Sequence, residues 1–227
     1  MNALRLTPLA FSLFALSLHS HAAEDFSNLL SQGKASLDAR YRYEYVDQDN
    51  LLNNANAQTL RTRLGFQSGK FHGLSALVEA DNVSRIGDAA YNSTRNGQSQ
   101  YSVVADPDGT EMNQALLRYD HTLGNLIGGR QRINLDNQRF IGSVAWRQNE
   151  QTFDAVRAEA KIGPVALDGT YAIGQRSIFG IDAGPRQSYD GAFAFLGAGG
   201  KIGPVNLKAF SYLLDYDTKE QAGTLAK

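Results

Sequence analysis

The chain has 227 residues, 42% hydrophobic and 20% charged, with a formal net charge of −1 and no cysteine. A near-neutral balance lacks the basic excess of nucleic-acid binders, and the absence of cysteine rules out a disulfide framework. Such a composition does not rule out a membrane barrel, because half of every barrel strand is polar.

At the N-terminus, Arg5 precedes an apolar run from Leu6 to Leu18, followed by the small-residue exit Ser20-His21-Ala22. This pattern reads as a secretory signal peptide over 1–22, cut after Ala22. A membrane anchor is the weaker reading, since a spanning helix needs about twenty apolar residues. Residues 23–227 are then expected to form one domain. No later segment is continuously apolar, so membrane residence has to be as strands.

From 34 to 46, Ala35, Leu37, Ala39, Tyr41, Tyr43 and Tyr45 alternate with Ser36, Asp38, Arg40, Arg42 and Glu44. A period of two means an extended strand with one apolar and one charged face. Similar stretches predict strands at 59–68, 74–83, 112–121, 126–135, 152–162, 165–174, 191–202 and 205–216. Most match the nine to eleven or so residues that a tilted strand needs to cross a bilayer. Brief turns at 69–73, 122–125, 163–164 and 203–204 alternate with long polar loops at 47–58, 84–111, 136–151 and 175–190. Short turns on one side and long loops on the other are the bacterial outer-membrane arrangement. Lys161-Ile162-Gly163-Pro164-Val165 recurs as Lys201-Ile202-Gly203-Pro204-Val205, each copy making a tight turn between two strands. Nine strands is an odd count, and the tail after Tyr216 is polar. A C-terminally truncated barrel is therefore the expectation, with a miscounted barrel of eight or ten strands, or one closed between chains, as alternatives.

Candidate chemistry lies on the polar faces. Arg40 with Arg42, Arg61 with Arg63 and Arg130 with Arg132 share faces at i and i+2, and Arg118 and Arg157 are similarly placed. With Leu64, Phe66, Ile127 and Ile133 toward lipid, these arginines would line a pore and favour anions. Asp38, Glu44, Glu79, Asp81, Asp120 and Glu159 share those faces, so cross-strand pairing is an equal alternative.

The stretch Gly129-Arg130-Gln131-Arg132-Ile133-Asn134-Leu135-Asp136-Asn137-Gln138-Arg139-Phe140-Ile141-Gly142 and the later Trp146-Arg147-Gln148-Asn149-Glu150-Gln151-Thr152-Phe153-Asp154-Ala155 resemble the alginate-export-like family of proteobacterial outer-membrane porins. Residues 106–115 and 61–66 are similar to family segments too. The resemblance implies a porin-type barrel of about sixteen to eighteen strands that passes small or polymeric hydrophilic solutes, anionic carbohydrate among them. Family members are longer than this chain, in line with truncation.

Within 136–151, Arg139, Phe140, Trp146 and Arg147 are the candidate constriction, since guanidiniums suit carboxylates and rings suit sugar faces. The alternative is a surface loop with its rings packed locally. Asp106, Asp108 and Glu111 have oxygen ligands for calcium, but Pro107-Asp108-Gly109 reads more simply as a turn. No cofactor and no metal is expected. Of the four histidines, His19 and His21 fall in the leader, while His72 and His121 lie at turns without a visible nucleophile and orienting partner. The chain is therefore read as a non-enzyme, with a hydrolase using His121 a weak third possibility. The main competitor is a non-conducting barrel for adhesion or anchoring, in which the loop from Ser84 to Thr110, with Tyr91 and Tyr101, recognises a partner. Outer-membrane lipid, a hydrophilic solute and the barrel-assembly machinery of a Gram-negative cell are the expected partners; the oligomeric state stays open.

Overall fold

Alternating side chains give each strand two unlike faces, and antiparallel pairing aligns those faces from strand to strand. The strands are β1 (Lys34–Val46), β2 (Ala55–Gln67), β3 (Leu74–Arg85), β4 (Gly109–His121), β5 (Gly124–Gln131), β6 (Thr152–Ile162), β7 (Val165–Arg176), β8 (Ser188–Ile202) and β9 (Val205–Tyr216). They form one sheet in chain order, every neighbour antiparallel, with β1 and β9 at its edges. The computed structural model describes residues 27–217, so the leader assigned to 1–22 and the tail after 217 lie outside the described residues. All nine expected strands form. β5 differs most from expectation, ending at Gln131 rather than continuing to 135.

The repeated turns are two-residue hairpins that close between Ile162 and Val165 and between Ile202 and Val205. Gly163 and Gly203 adopt φ of +58° and +59°. Only glycine takes such an angle without strain, and the fixed φ of the following proline suits the second turn position.

One cross-strand row runs Leu117, Gly128, Val156, Tyr171, Ala194, Leu213. Leu117 is 56% exposed and Leu213 62%. Shielding each such leucine is worth about 1.5–3 kcal/mol, so a row that also exposes Val156 and Tyr171 calls for an apolar solvent. This is the outer face, and lipid satisfies it. The neighbouring row, Ser75, Arg118, Ile127, Arg157, Thr170, Phe195, Tyr212, marks the inner face. A register shift between Glu79 and Ala80 lets Asn113 and Gln114 both point inward, where both are buried.

The outer-face assignment predicts that Leu117→Arg costs about 2–4 kcal/mol of folding stability in lipid, measured by refolding into vesicles. An unaltered stability would remove Leu117 from the lipid face.

Candidate functional site

Beyond Gln131 the chain leaves the ladder and crosses the inner face. Apolar residues hold it down: Ile133, Leu135 and Ile141 are buried with Phe153, Phe193 and Phe195. Toward β9, Asp136 accepts hydrogen bonds from Lys208 Nζ at 2.7 Å and Tyr212 Oη at 3.2 Å, and Phe140 lies 6.0 Å from Phe210. The Lys208 contact holds the Asp136 carboxyl below the usual carboxylate range. Toward β1, Arg40 donates to the Ala145 carbonyl at 2.8 Å, to Gln148 Oε1 at 3.0 Å and to the Arg147 carbonyl. Arg42 donates to the Trp146 carbonyl. One loop thus touches both edge strands.

Where the loop returns to β6, its Glu150 enters a buried charge cluster. Arg63 reaches Asp81 at 2.6 Å, Glu150 at 3.0 Å and Glu79 at 3.4 Å. Arg132 reaches Glu79 and Glu150, each at 3.3 Å. The Asn113 amide donates to Glu79 at 2.8 Å and to Glu150 at 3.0 Å. Burial alone would raise the Glu150 pKa, but the Asn113 hydrogen bond and the charges of Arg132 and Arg63 outweigh it and hold the group low.

A second junction forms where the loop meets the β3–β4 connection. Asp106, fully buried, accepts the Gln148 backbone N–H at 2.8 Å and lies 3.2 Å from Arg42 Nε and 3.7 Å from Arg147 Nη1. Burial pushes its carboxyl up, and the Gln148 N–H, Arg147 and Arg42 offset only part of that push. Glu44 completes the group, 3.1 Å from Arg147. The guanidiniums of Arg147 and Arg42 lie 4.1 and 5.0 Å from the centre of the exposed Trp146 ring.

The structure brings Arg40, Arg42, Trp146 and Arg147 together and joins Arg63 to Arg132. Most of the arginines read as pore-lining are paired: Arg61 with Asp38, Arg118 with Asp120, Arg157 with Glu159 and Arg130 with Asp154. Arg40 has no ion pair among the described residues. Three expectations need correction. Ile127 aligns with Arg118 and Arg157 on the inner face, and Ile133 is buried under the loop, so neither meets lipid. Arg130 aligns with Ala115 and Asp154, on the face of Leu117 and Val156 and opposite Arg118, next to the end of β5. Tyr91 is buried against Ala55, Ala57 and Val104, so that part of the β3–β4 connection packs inward instead of offering its ring to a partner.

Sequence reasoning weighed Asp106 only as a calcium ligand and did not single out Gln148 or Glu150 as site residues. Gln148 and Glu150 sit in a polar run that looks solvated, Asp106 precedes a Pro-Asp-Gly turn, and no local pattern marks any of the three as buried. Among the described residues no His, Cys, Asp and Glu cluster is arranged to hold a metal ion.

Residues 31–177 match the family model for alginate export. Among solved structures, Pseudomonas aeruginosa OccK9 (OpdG) is 14% identical with a TM-score of 0.62, over 83% of this chain and 52% of that one. A BenF-like porin from Pseudomonas fluorescens Pf-5 is 14% identical with a TM-score of 0.56, over 82% and 50%. Pseudomonas aeruginosa OccK2 (OpdF), in complex with glucuronate, is 17% identical with a TM-score of 0.54, over 82% and 48%. The chain thus spans about half the length of these structures, which it resembles in fold. A search among curated proteins finds no match.

The two buried carboxylates are expected to behave oppositely. Glu150, held low, contributes stability above its unfolded pKa that is lost as pH falls through the folded one; Asp106, pushed up, costs stability once ionised and less as pH falls. Glu150→Gln is therefore expected to lose about 3 kcal/mol at neutral pH, and Asp106→Asn clearly less. Urea unfolding in detergent across the acid range checks both, and a larger loss from Asp106→Asn would reverse the ranking.

Proposed function

The chain belongs to the alginate export family, whose model covers well over half of it, and on that premise we propose that it forms an outer-membrane barrel channel for hydrophilic solutes, not an enzyme. The observation that carries this reading is the loop after β5, folded across the inner face and tied to both edge strands. A loop in that position narrows a lumen and sets what passes.

Anionic carbohydrate is the solute class favoured. Around Trp146, Arg40, Arg42 and Arg147 face Glu44 and Asp106, with Glu150 of the neighbouring cluster also acting on Arg40, and of the three arginines Arg40 alone makes no ion pair among the described residues. Guanidiniums bind carboxylates in paired hydrogen bonds. Glucuronate in the OccK2 complex is a solute of this kind in a similar fold. The dense pairing of Arg61, Arg63, Arg118 and Arg157 favours a second reading, a non-conducting barrel used for adhesion or anchoring.

Planar bilayers separate the two. Discrete conductance steps with an anion-selective reversal potential are expected from the full-length protein, and reproducible silence from a verified folded barrel would favour the second reading. Arg40→Gln is expected to shift the reversal potential toward cations, and Arg130→Gln, on the outer face, to leave it unchanged. Equal shifts from the two variants would disprove the placement of the filter around Trp146.

A further inference from the structure

Exposed apolar side chains on the outer face are explained by lipid, but two rings on the wet inner face are not. Phe140 is 65% exposed and Phe210 51%. Phe210 shares its face with Lys208 and Tyr212, two residues away on either side, and aligns with Gly197, itself opposite Asp168. Leaving two phenylalanine rings in a water-filled lumen costs hydrophobic free energy, and among the described residues they are covered only in part, by each other and by Tyr212. They are also ordered by their neighbours: Phe210 stacks on Tyr212 at 4.8 Å, Phe140 meets Phe210 at 6.0 Å and Tyr212 at 6.3 Å, and the Arg139 guanidinium lies 5.9 Å from the Phe140 ring.

These rings wall a hollow of about 410 Å³ whose polar rim is formed by Asp136, Arg139 and Lys208. That volume lies within the range of small-molecule sites, which combine apolar walls with a few placed polar groups. Asp136 and Lys208 are joined at 2.7 Å, and Lys208 also lies 3.5 Å from Asp168, which offsets the charge of Arg139, so the rim offers an acceptor and a donor side by side. Two further features narrow the chemistry. Two adjacent ring surfaces suit a flat ligand with apolar C–H faces, and a neighbouring carboxylate and ammonium suit hydroxyls at its edge.

We infer that the hollow between the loop and β9 is a sugar-stacking subsite, in which Phe140 and Phe210 take the C–H faces of a pyranose ring and Asp136 and Lys208 its hydroxyls. The inference rests on the reading of the inner face as a solute path, and it adds a ring-reading wall opposite the charge-reading cluster at Trp146. Charge is handled at β1; the shape of the sugar is handled at β9.

The test uses a neutral glucose hexamer, which removes charge recognition, and isothermal titration calorimetry on the full-length protein folded in detergent. Binding is expected, and Phe140→Ala with Phe210→Ala together should weaken it by on the order of tenfold or more. Lys208→Gln, which leaves both rings in place, serves as a second variant and is expected to weaken it less. No binding by the parent protein, binding of charged uronate oligomers alone, or unchanged binding by a folded double-alanine variant would each overturn the subsite. Conductance is read separately: a barrel that binds the hexamer but passes no current would sink the channel reading and leave the subsite standing.

Discussion

Arg63 carries a guanidinium into a nearly dry site, and an isolated charge there would cost several kcal/mol. It is tolerated because Glu79 and Asp81 from β3 and Glu150 from the far end of the loop converge on it, with Arg132 and Asn113 satisfying the carboxylates. The cluster joins β2, β3 and β4 to the residues on either side of the loop. Once Arg132 and Glu150 are held at its two ends, the segment between them has to lie across the inner face.

The energetics divide by solvent. On the outer face, rows of leucine, valine and tyrosine need no partner within the chain because lipid supplies one. On the inner face, water competes for every polar group, and the protein responds with dense ion pairing and by burying loop residues such as Gln148 and Asp106. Exposed ion pairs contribute little, about 0–1 kcal/mol each, whereas the buried ones enforce geometry. The loop is therefore positioned by a few desolvated contacts at its ends, and by the phenylalanines of β6 and β8 beneath its middle.

Two chemically distinct walls result. Near β1, guanidiniums gather around Trp146, and Arg40 among them makes no ion pair within the described residues. Near β9, rings dominate, and Asp136 and Asp168 both hold Lys208. The same loop reaches both, with Trp146 and Arg147 at one side and Arg139 and Phe140 at the other, so the position of one segment sets both surfaces.

Much of the fold was legible in the sequence. Period-two alternation located all nine strands, and for β1, β6 and β9 the expected limits coincide with those observed, because each is bounded by strong turn chemistry or a polar loop. The repeated Gly-Pro turns could be read directly, since a positive φ followed by a fixed one has few other solutions. The strand expected over 126–135 was too long because alternation continues past Gln131 while the backbone turns inward; Ile133 and Leu135 keep the apolar pattern for a different partner, the core beneath the loop. For the same reason the facing of Arg130, Ile127 and Ile133 was unreadable. Alternation states that two faces differ, but near Gly128 and Gly129 both faces of β5 lack large side chains, and only pairing with β4 and β6 decides which is which. The burial of Asp106, Gln148 and Glu150 was also hidden. Contacts such as Gln148 with Arg40 join residues 108 positions apart, and such distant contacts leave no local pattern. Sequence periodicity determined the strands, their two faces and the membrane as solvent; only the tertiary structure decided where the loop lies and which charges it covers, because that choice depends on long-range desolvation.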